Sequence, residues 1–302
     1  MDKVIVTGGA GFIGSHVVDL MVAKKYDVYV FDNLSTGIKS NINKKAKFFK
    51  VDITDFEKIN SLIRDIKPAC IFHLAAWPRI GRSMDDPIGT NNVNVNGTLN
   101  MLETARINNI PRFIYSSSSS VYGMQKTYKM KENMDLNPMS HYALQKLISE
   151  KYATFYAESF GMKIISLRYF SVYGDRQPDS GPYALVIAKF IDQSRKGHKL
   201  TVFGDGKQTR DFTHVSDVAN ANYLALKTNI KRGINNIINI GTSKETSVNK
   251  IAKIIGGDVE HIIPNPRQKY EEQRKMADIT LAKKVLRWKP KININEGLKI
   301  LI

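Results

Sequence analysis

Tyr142 and Lys146 stand four apart in His141-Tyr142-Ala143-Leu144-Gln145-Lys146. On a helix that spacing puts both side chains on one face. An ammonium near a phenol stabilises the phenolate and draws its pKa towards working pH, so the pair can take a proton from a hydroxyl. The same spacing also occurs on any amphipathic helix surface. A second group lies upstream, where residues 115–123 read Tyr-Ser-Ser-Ser-Ser-Ser-Val-Tyr-Gly. A serine there can hydrogen-bond a reacting oxygen and align it with Tyr142. A serine-rich loop would read the same way.

The third group is Val4-Ile5-Val6-Thr7-Gly8-Gly9-Ala10-Gly11-Phe12-Ile13-Gly14, an apolar strand running straight into glycines and a helix. Gly8 permits a tight turn, Gly11 lets the backbone approach a diphosphate, and Gly14 lets the helix pack closely on the strand. The diphosphate would sit on free N–H groups at the helix start. Asp32 closes the next apolar run, Val28 to Phe31, about twenty residues downstream, as a dinucleotide site requires. A carboxylate there accepts from ribose hydroxyls and repels a 2′-phosphate, and no arginine follows closely, so NAD is expected rather than NADP. The plainer reading of Asp32 is a turn residue in Asp-Asn-Leu-Ser-Thr-Gly. Asp52-Ile53, after the third strand, is a further candidate for the adenine pocket.

These groups need a scaffold, and the apolar pattern supplies one. Strands are expected at Lys3 to Val6, Asp27 to Phe31, Phe48 to Val51, Cys70 to Leu74, Phe113 to Ser116 and Lys163 to Tyr169. Helices are expected from Gly14 to about Val22, and near 55–66, 92–108 and 141–160. Strand and helix alternating at this spacing imply an α/β fold with a Rossmann-type, doubly wound parallel sheet. Ligands on such sheets bind at the carboxyl ends of the strands. The second half is less regular: a polar turn-rich stretch at 175–182, a helix near 183–196 and the strand Leu200 to Phe203. Helix 216–228 and strand Asn236 to Ile240 follow, then short helices and a loop at 264–274. Residues 1–172 are expected to form the cofactor domain, with a return at about 213–242, and 173–302 a smaller substrate-binding lobe.

Composition narrows the classes. The 302 residues have room for one large core or two lobes sharing a cleft. No apolar run is long enough to span a bilayer, and the N-terminus enters a strand rather than a secretory signal. The single cysteine, Cys70, lies in an apolar run and reads as a buried structural thiol, which fits a reducing cytoplasm. The net charge of +17 is spread as ones and twos of lysine, with no basic run interleaved with aromatics. No nucleic acid, membrane or metal is expected as a partner. A positive field would still attract an anionic substrate.

Taken together the motifs resemble the extended short-chain dehydrogenase/reductase family, and within it the NAD-dependent nucleotide-sugar epimerases and dehydratases. The resemblance covers nearly the whole chain: TGGAGFIGSH (7–16), DNLSTG (32–37), HLAA (73–76), NVNGTLNML (94–102), SSSVYG (118–123), the Tyr142/Lys146 pair, LRYFSVYGDRQ (167–177) and FGDGKQTRDFTHVSDVA (203–219). It implies a catalytic hydroxyl at Ser118, a base at Tyr142, and Lys146 holding the nicotinamide ribose. It implies cofactor contacts at Gly8, Gly11, Phe12, Ile13, Asp32, Asn33, Asp52, Ile53, Leu74, Ala75, Ala76 and Tyr169. Substrate contacts follow at Ser171, Val202, Phe203, Arg210 and Lys275, with Arg210 on the diphosphate and Val202-Phe203 on the uracil. Three positions depart from the pattern. Ser171 replaces a frequent asparagine, Trp77-Pro78-Arg79 replaces small or polar residues, and Lys275 stands where sugar size is tuned, normally by a small residue or tyrosine.

The resemblance also implies a first step, oxidation at C4 of a nucleotide sugar. The fate of the 4-keto sugar depends on the two residues after Ser118. Dehydratases of the family carry Asp then Glu there, and glucuronate decarboxylases keep the glutamate. Here both are serine, Ser119 and Ser120, and neither can serve as a carboxyl acid or base. The expected outcome is return of hydride to the other face: C4 epimerisation of a UDP-hexose. Glucuronate 4-epimerisation is the alternative, weakened because Pro178 stands where those relatives carry arginine. A cofactor-sensing protein on the same fold is a further alternative, though such proteins usually lose the tyrosine or lysine. A homodimer packed through the helices near 92–108 and 141–160 is also implied.

Overall fold

The computed structural model describes residues 1–179, 184–264 and 273–302. The end of the polar stretch 175–182, the first residue of the helix expected at 183–196 and most of the loop 264–274 lie outside them.

Seven parallel strands form the central sheet. In chain order they are β1 (Lys3–Thr7), β2 (Asp27–Asp32), β3 (Lys47–Lys50), β4 (Cys70–His73), β5 (Phe113–Ser118), β6 (Lys163–Tyr169) and, after the separate strand β7 (Leu200–Phe203), β8 (Ile234–Ile240). Across the sheet the order is β8-β6-β5-β4-β1-β2-β3. The chain therefore reverses direction between β1 and β4, and the crevice opens at that switch point. Strand residues alternate between two apolar layers, as a period of two requires. Val4, Val6, Ile114 and Ile165 pack with Val17 and Met21 of α1 (Phe12–Ala23) and Val218 and Ala221 of α8 (Val215–Lys227). Ile5, Phe113, Tyr115 and Ile164 pack on the other side. Their partners there are α2 (Phe56–Ile66), α5 (Gly97–Ile107) and α6 (His141–Phe160). Both faces are thus covered, which is why these strands are almost wholly apolar.

The second lobe has its own core, in which α7 (Val186–Arg195), β7 and α9 (Val248–Ile255) bring together Ile187, Phe190, Val202 and Ile251. β7 pairs in parallel with Val259–Ile262. Helix α8 and strand β8 belong to the first lobe, so the chain passes between lobes more than once.

Local chemistry sets the element ends that matter. Ser140 caps α6 by accepting the Ala143 N–H at 3.2 Å, and Gly161 ends it at φ +66°. Those caps place Tyr142 in the first turn and Lys146 one turn later. The helix expected over 92–108 starts earlier and is not regular: α4 (Pro87–Asn91) precedes it, a π turn occupies Asn92–Asn96, and α5 follows. The cause is Asn94. Its carbonyl accepts the hydroxyls of Thr98 at 2.7 Å and Ser149 at 3.0 Å, and its side chain bonds Gln145 on α6 at 2.8 Å. A wide turn of this kind recurs beside functional sites.

Beneath the serines of β5 lies a buried ion pair. Arg168 of β6 forks onto Glu150 of α6 at 2.7 and 2.9 Å, and both side chains are 2% exposed. The Ser117 hydroxyl donates to the same carboxylate. Removing one partner of such a pair strands the other charge in the core. Glu150→Ala is expected to lower stability by about 3–5 kcal/mol, read as a fall in the denaturant midpoint. A change below about 1 kcal/mol would mean that water reaches Arg168.

Candidate active site

One cavity of about 780 Å³ runs along the carboxyl ends of the strands and into the second lobe. It gathers Gly8, Gly11, Phe12, Ile13, Asp32, Asn33, Asp52, Ile53, Leu74, Ala75, Ala76, Ser118, Tyr142, Lys146, Tyr169, Ser171, Phe203, Arg210 and Lys275. Of the residues expected from the sequence, only Val202 is missing from its wall. β7 alternates faces: Thr201 and Phe203 look into the cavity, while Val202 is buried in the core of the second lobe. The Val202 side chain thus points away from the cavity that its strand borders, and Thr201 lines the wall beside Phe203.

The turn after β1 is built by exclusion of Cβ atoms. Gly8 has φ +69°, and a Cβ on it would lie 2.7 Å from the Ala75 nitrogen. A Cβ on Gly14 would lie 2.0 Å from the Gly8 carbonyl oxygen. The start of α1, with Gly11 as its N-cap and no side chain capping it, therefore opens directly onto the cavity. These N–H groups suit a diphosphate. Asp32 is buried, and its carboxylate accepts the Ala10 N–H at 3.0 Å and the Leu34 N–H at 2.8 Å. Burial pushes its pKa up, and the two N–H groups oppose that. Each carboxylate oxygen keeps a lone pair for a hydroxyl. Asn33 donates to Asp52 at 2.6 Å, joining the ends of β2 and β3. The residues present thus fit a dinucleotide: donors for the diphosphate, and a carboxylate for the ribose.

At the other end Ser118 accepts the Ser120 N–H at 3.2 Å and the Ser120 hydroxyl at 2.9 Å. Burial pushes the Tyr142 phenol up, against the Ser118 hydroxyl and the Arg79 guanidinium, which favour phenolate. The expected Tyr142–Lys146 interaction takes a different form. The Lys146 ammonium lies 6.0 Å from the Tyr142 ring centroid and donates to the Ser116 carbonyl at 2.7 Å. Burial brings its pKa down to about 8, with Glu150 resisting. The Tyr169 hydroxyl accepts from Ser116 at 2.9 Å and pairs with Asn222, so it braces β5 from below.

The substrate half is fastened by Asp211, next to Arg210. Its carboxylate accepts from the Thr242 N–H at 2.6 Å, the Ser243 N–H at 3.0 Å and the Ala277 N–H at 3.0 Å. Lys275, two residues before Ala277, is 6% exposed and donates to the Ser119 carbonyl at 3.1 Å. It therefore reaches the serine segment itself. Trp77 spans the mouth: its indole N–H donates to Ser35 at 3.1 Å and the Arg82 guanidinium stacks on it at 3.8 Å. Sequence reasoning missed the parts played by Asn94, Asp211 and Thr201. Asn94 and Asp211 stood inside motifs already noticed; Asn94 is a polar residue between Val93 and Val95, and Asp211 carries no such signal.

Comparisons agree with this geometry. The family model described as "NAD dependent epimerase/dehydratase family" matches residues 4–241. A protein of Methanocaldococcus jannaschii named putative UDP-glucose 4-epimerase is 43% identical, over 99% of this chain and 97% of its own length. The crystal structure of a UDP-glucose 4-epimerase of Thermotoga maritima with UDP-glucose superposes with a TM-score of 0.93 at 36% identity, covering 99% of this chain and 96% of that one. A UDP-glucose 4-epimerase of Thermus thermophilus in complex with NAD gives 0.89 at 33% identity, covering 98% and 96%.

The buried Asp32 makes a prediction. A 2′-phosphate beside a desolvated carboxylate is a like-charge contact costing several kcal/mol, so NAD should bind more than about tenfold tighter than NADP. Calorimetry with both cofactors checks this. Equal affinities would remove the role assigned to Asp32.

Proposed function

The chain belongs to the NAD dependent epimerase/dehydratase family, and from that premise we propose that it interconverts UDP-hexoses by epimerisation at C4, with NAD held through the cycle. The observation that carries the outcome is the segment Ser118-Ser119-Ser120 facing Tyr142 in one cavity. The two positions after Ser118 offer hydroxyls where elimination would need carboxyl groups.

Gly8, Gly11, Phe12 and Ile13 would hold the cofactor diphosphate. Asp32 and Asn33 would hold the adenosine ribose, and Asp52 and Ile53 would border the adenine. Leu74, Ala75, Ala76 and Tyr169 would shape the remaining wall, and Lys146 would hold the second ribose. NAD, when bound, supplies the acceptor for hydride from C4 and its return. Ser118 positions the C4 oxygen. Tyr142 takes the C4 hydroxyl proton as phenolate and gives it back when the ketone is reduced. Arg210 anchors the substrate diphosphate by charge-assisted hydrogen bonds. Phe203 and Thr201 border the base, and Ser171 and Lys275 line the sugar end. Because the hold is on the diphosphate, the 4-keto ring can turn and present its other face. The proposed division is a cofactor domain over 1–172, rejoined at about 213–242, and a substrate lobe over 173–302. A cytoplasmic setting completes the reading, with Cys70 a buried free thiol.

The reading extends to a homodimer. Ile88 on α4 is 83% exposed, and Leu144 and Phe155 on α6 are 45% and 55% exposed. Apolar side chains on two neighbouring helices suit a second copy of the same face. Sedimentation should give a dimer, and Leu144→Glu with Phe155→Glu should weaken it; a monomer at micromolar concentration would count against this assembly.

A substrate panel tests the reaction itself. UDP-glucose, UDP-galactose and their N-acetyl forms should each give only the C4 epimer, approaching one mixture from either side. Tyr142→Phe should lower turnover by about 10² or more while leaving NAD bound. Accumulation of a 4-keto-6-deoxy sugar, or carbon dioxide from UDP-glucuronate, would overturn the epimerase reading.

A further inference from the structure

Trp77-Pro78-Arg79 departs from the family pattern, and the proposed reaction gives Arg79 no task. Its backbone is unusual: φ is +100°, a conformation that suits glycine rather than a long side chain. Arg79 stands immediately before α3 (Ile80–Asp85) and lines the cavity together with Tyr142. Two hydrogen bonds tie these residues. The Ser83 N–H donates to the Arg79 carbonyl at 3.2 Å, and the Ser83 hydroxyl accepts the Tyr142 N–H at 3.0 Å. The turn is therefore docked on the first turn of α6 at the tyrosine itself. Its approach is held as well, since Asn94 accepts the Trp77 N–H at 2.8 Å and donates to the Trp77 carbonyl at 3.1 Å. Strained residues persist where their surroundings over-determine them, and they cluster at functional sites.

We propose that Arg79 is a positioning residue of the reaction: fixed through Ser83 to the residue that carries the phenol, its guanidinium stabilises the phenolate of Tyr142. The proposal rests on Tyr142 being the base. Lys146 is one turn away with its ammonium on the Ser116 carbonyl, so Arg79 supplies a second cation from outside the helix. Burial pushes the Tyr142 phenol up, and the Ser118 hydroxyl and Arg79 pull it back; the phenolate in turn favours charged Arg79 against its own burial. The other charged or titratable groups that face Tyr142 are Lys146 on α6 and Tyr115 on β5, with Asp85 of α3 and Lys275 on the wall of the same cavity. Substitution at position 79 alone changes none of them.

Arg79→Gly suits φ +100° and removes the charge, Arg79→Met is a second neutral variant, and Arg79→Lys keeps the charge. Ultraviolet difference titration of the NAD-loaded protein, with Tyr142→Phe as the blank, reads the phenol directly. The pH profile of kcat/KM for UDP-glucose reads its use. A base is active as phenolate, so removing the cation raises the pKa and moves the acid limb to higher pH. Both neutral variants should shift the titration and the limb upwards by about one pH unit, with about tenfold lower kcat/KM below the limb, and Arg79→Lys should restore most of it. An unshifted titration in the neutral variants overturns the proposal. So does an unshifted profile accompanied by a raised KM for UDP-glucuronate alone, which would make Arg79 a ligand for an acidic sugar group. If no UDP-hexose is turned over, the titration still decides the Arg79–Tyr142 coupling, so the two readings fail separately.

Discussion

The cavity depends on one seam, where the buried face of α6 meets the last three residues of β5. Side chains four apart on a helix share a face, and Tyr142, Lys146 and Glu150 form such a row. Each meets one serine. The Lys146 ammonium takes the Ser116 carbonyl, the Glu150 carboxylate takes the Ser117 hydroxyl, and Ser118 stands at the Tyr142 phenol. The row is anchored at its inner end by Arg168, reaching in from β6. A rotation of α6 would break all three serine contacts and leave a buried charge unpaired, which is far more costly than losing one neutral hydrogen bond. The ion pair thus serves the site: it fixes the angle at which the tyrosine faces the serine.

The adjacent flank of α6 is fixed by a different device. Gln145 and Ser149 bond Asn94 of the π turn, and Asn94 holds both backbone groups of Trp77. The helix that carries the tyrosine is therefore clamped between β5 and the loop after β4. That loop brings Ala75 against Gly8, where no Cβ would fit. The glycine turn, the loop and α6 are thus linked in succession, by a close backbone approach at Gly8 and Ala75 and by hydrogen bonds through Asn94, although residues 8, 75, 94 and 145 are far apart in sequence.

This explains which features the sequence displays and which it conceals. The sheet was legible because a two-sided parallel sheet needs apolar runs in its strands, and Val4-Ile5-Val6, Cys70-Ile71-Phe72 and Phe113-Ile114-Tyr115 are such runs. The glycine turn was legible because Gly8 adopts φ +69° and Gly14 lies against the Gly8 carbonyl, local needs that local sequence records. The direction of the Val202 side chain was hidden because neighbouring strand residues point to opposite faces, and a two-residue match cannot say which one faces a cavity. The π turn was hidden because Asn94 there is held by long-range bonds to Ser149 and Gln145 of α6. The Lys146 geometry was hidden for a related reason: a spacing of four fixes a shared face, while the direction of a flexible ammonium is set by the carbonyl it finds, here that of Ser116.

The substrate side must meet two demands that conflict in a rigid pocket, a firm hold on a diphosphate and freedom for a sugar ring to turn. The firm part lies around Asp211. Its buried carboxylate gathers backbone N–H groups from the loop after β8 and from Ala277, so the segment bearing Arg210 is fastened to two others at once. The permissive part lies opposite, where Ser118, Ser119 and Ser120 present short hydroxyl side chains. Lys275 belongs to both. It leaves the Asp211-fastened segment and ends on the Ser119 carbonyl, so it joins the rigid wall to the serine floor without a carboxyl group at either end of that contact. A charge bound to a backbone carbonyl adds no proton acceptor able to divert a ketone, so in the proposed reaction proton exchange with C4 would fall to Tyr142.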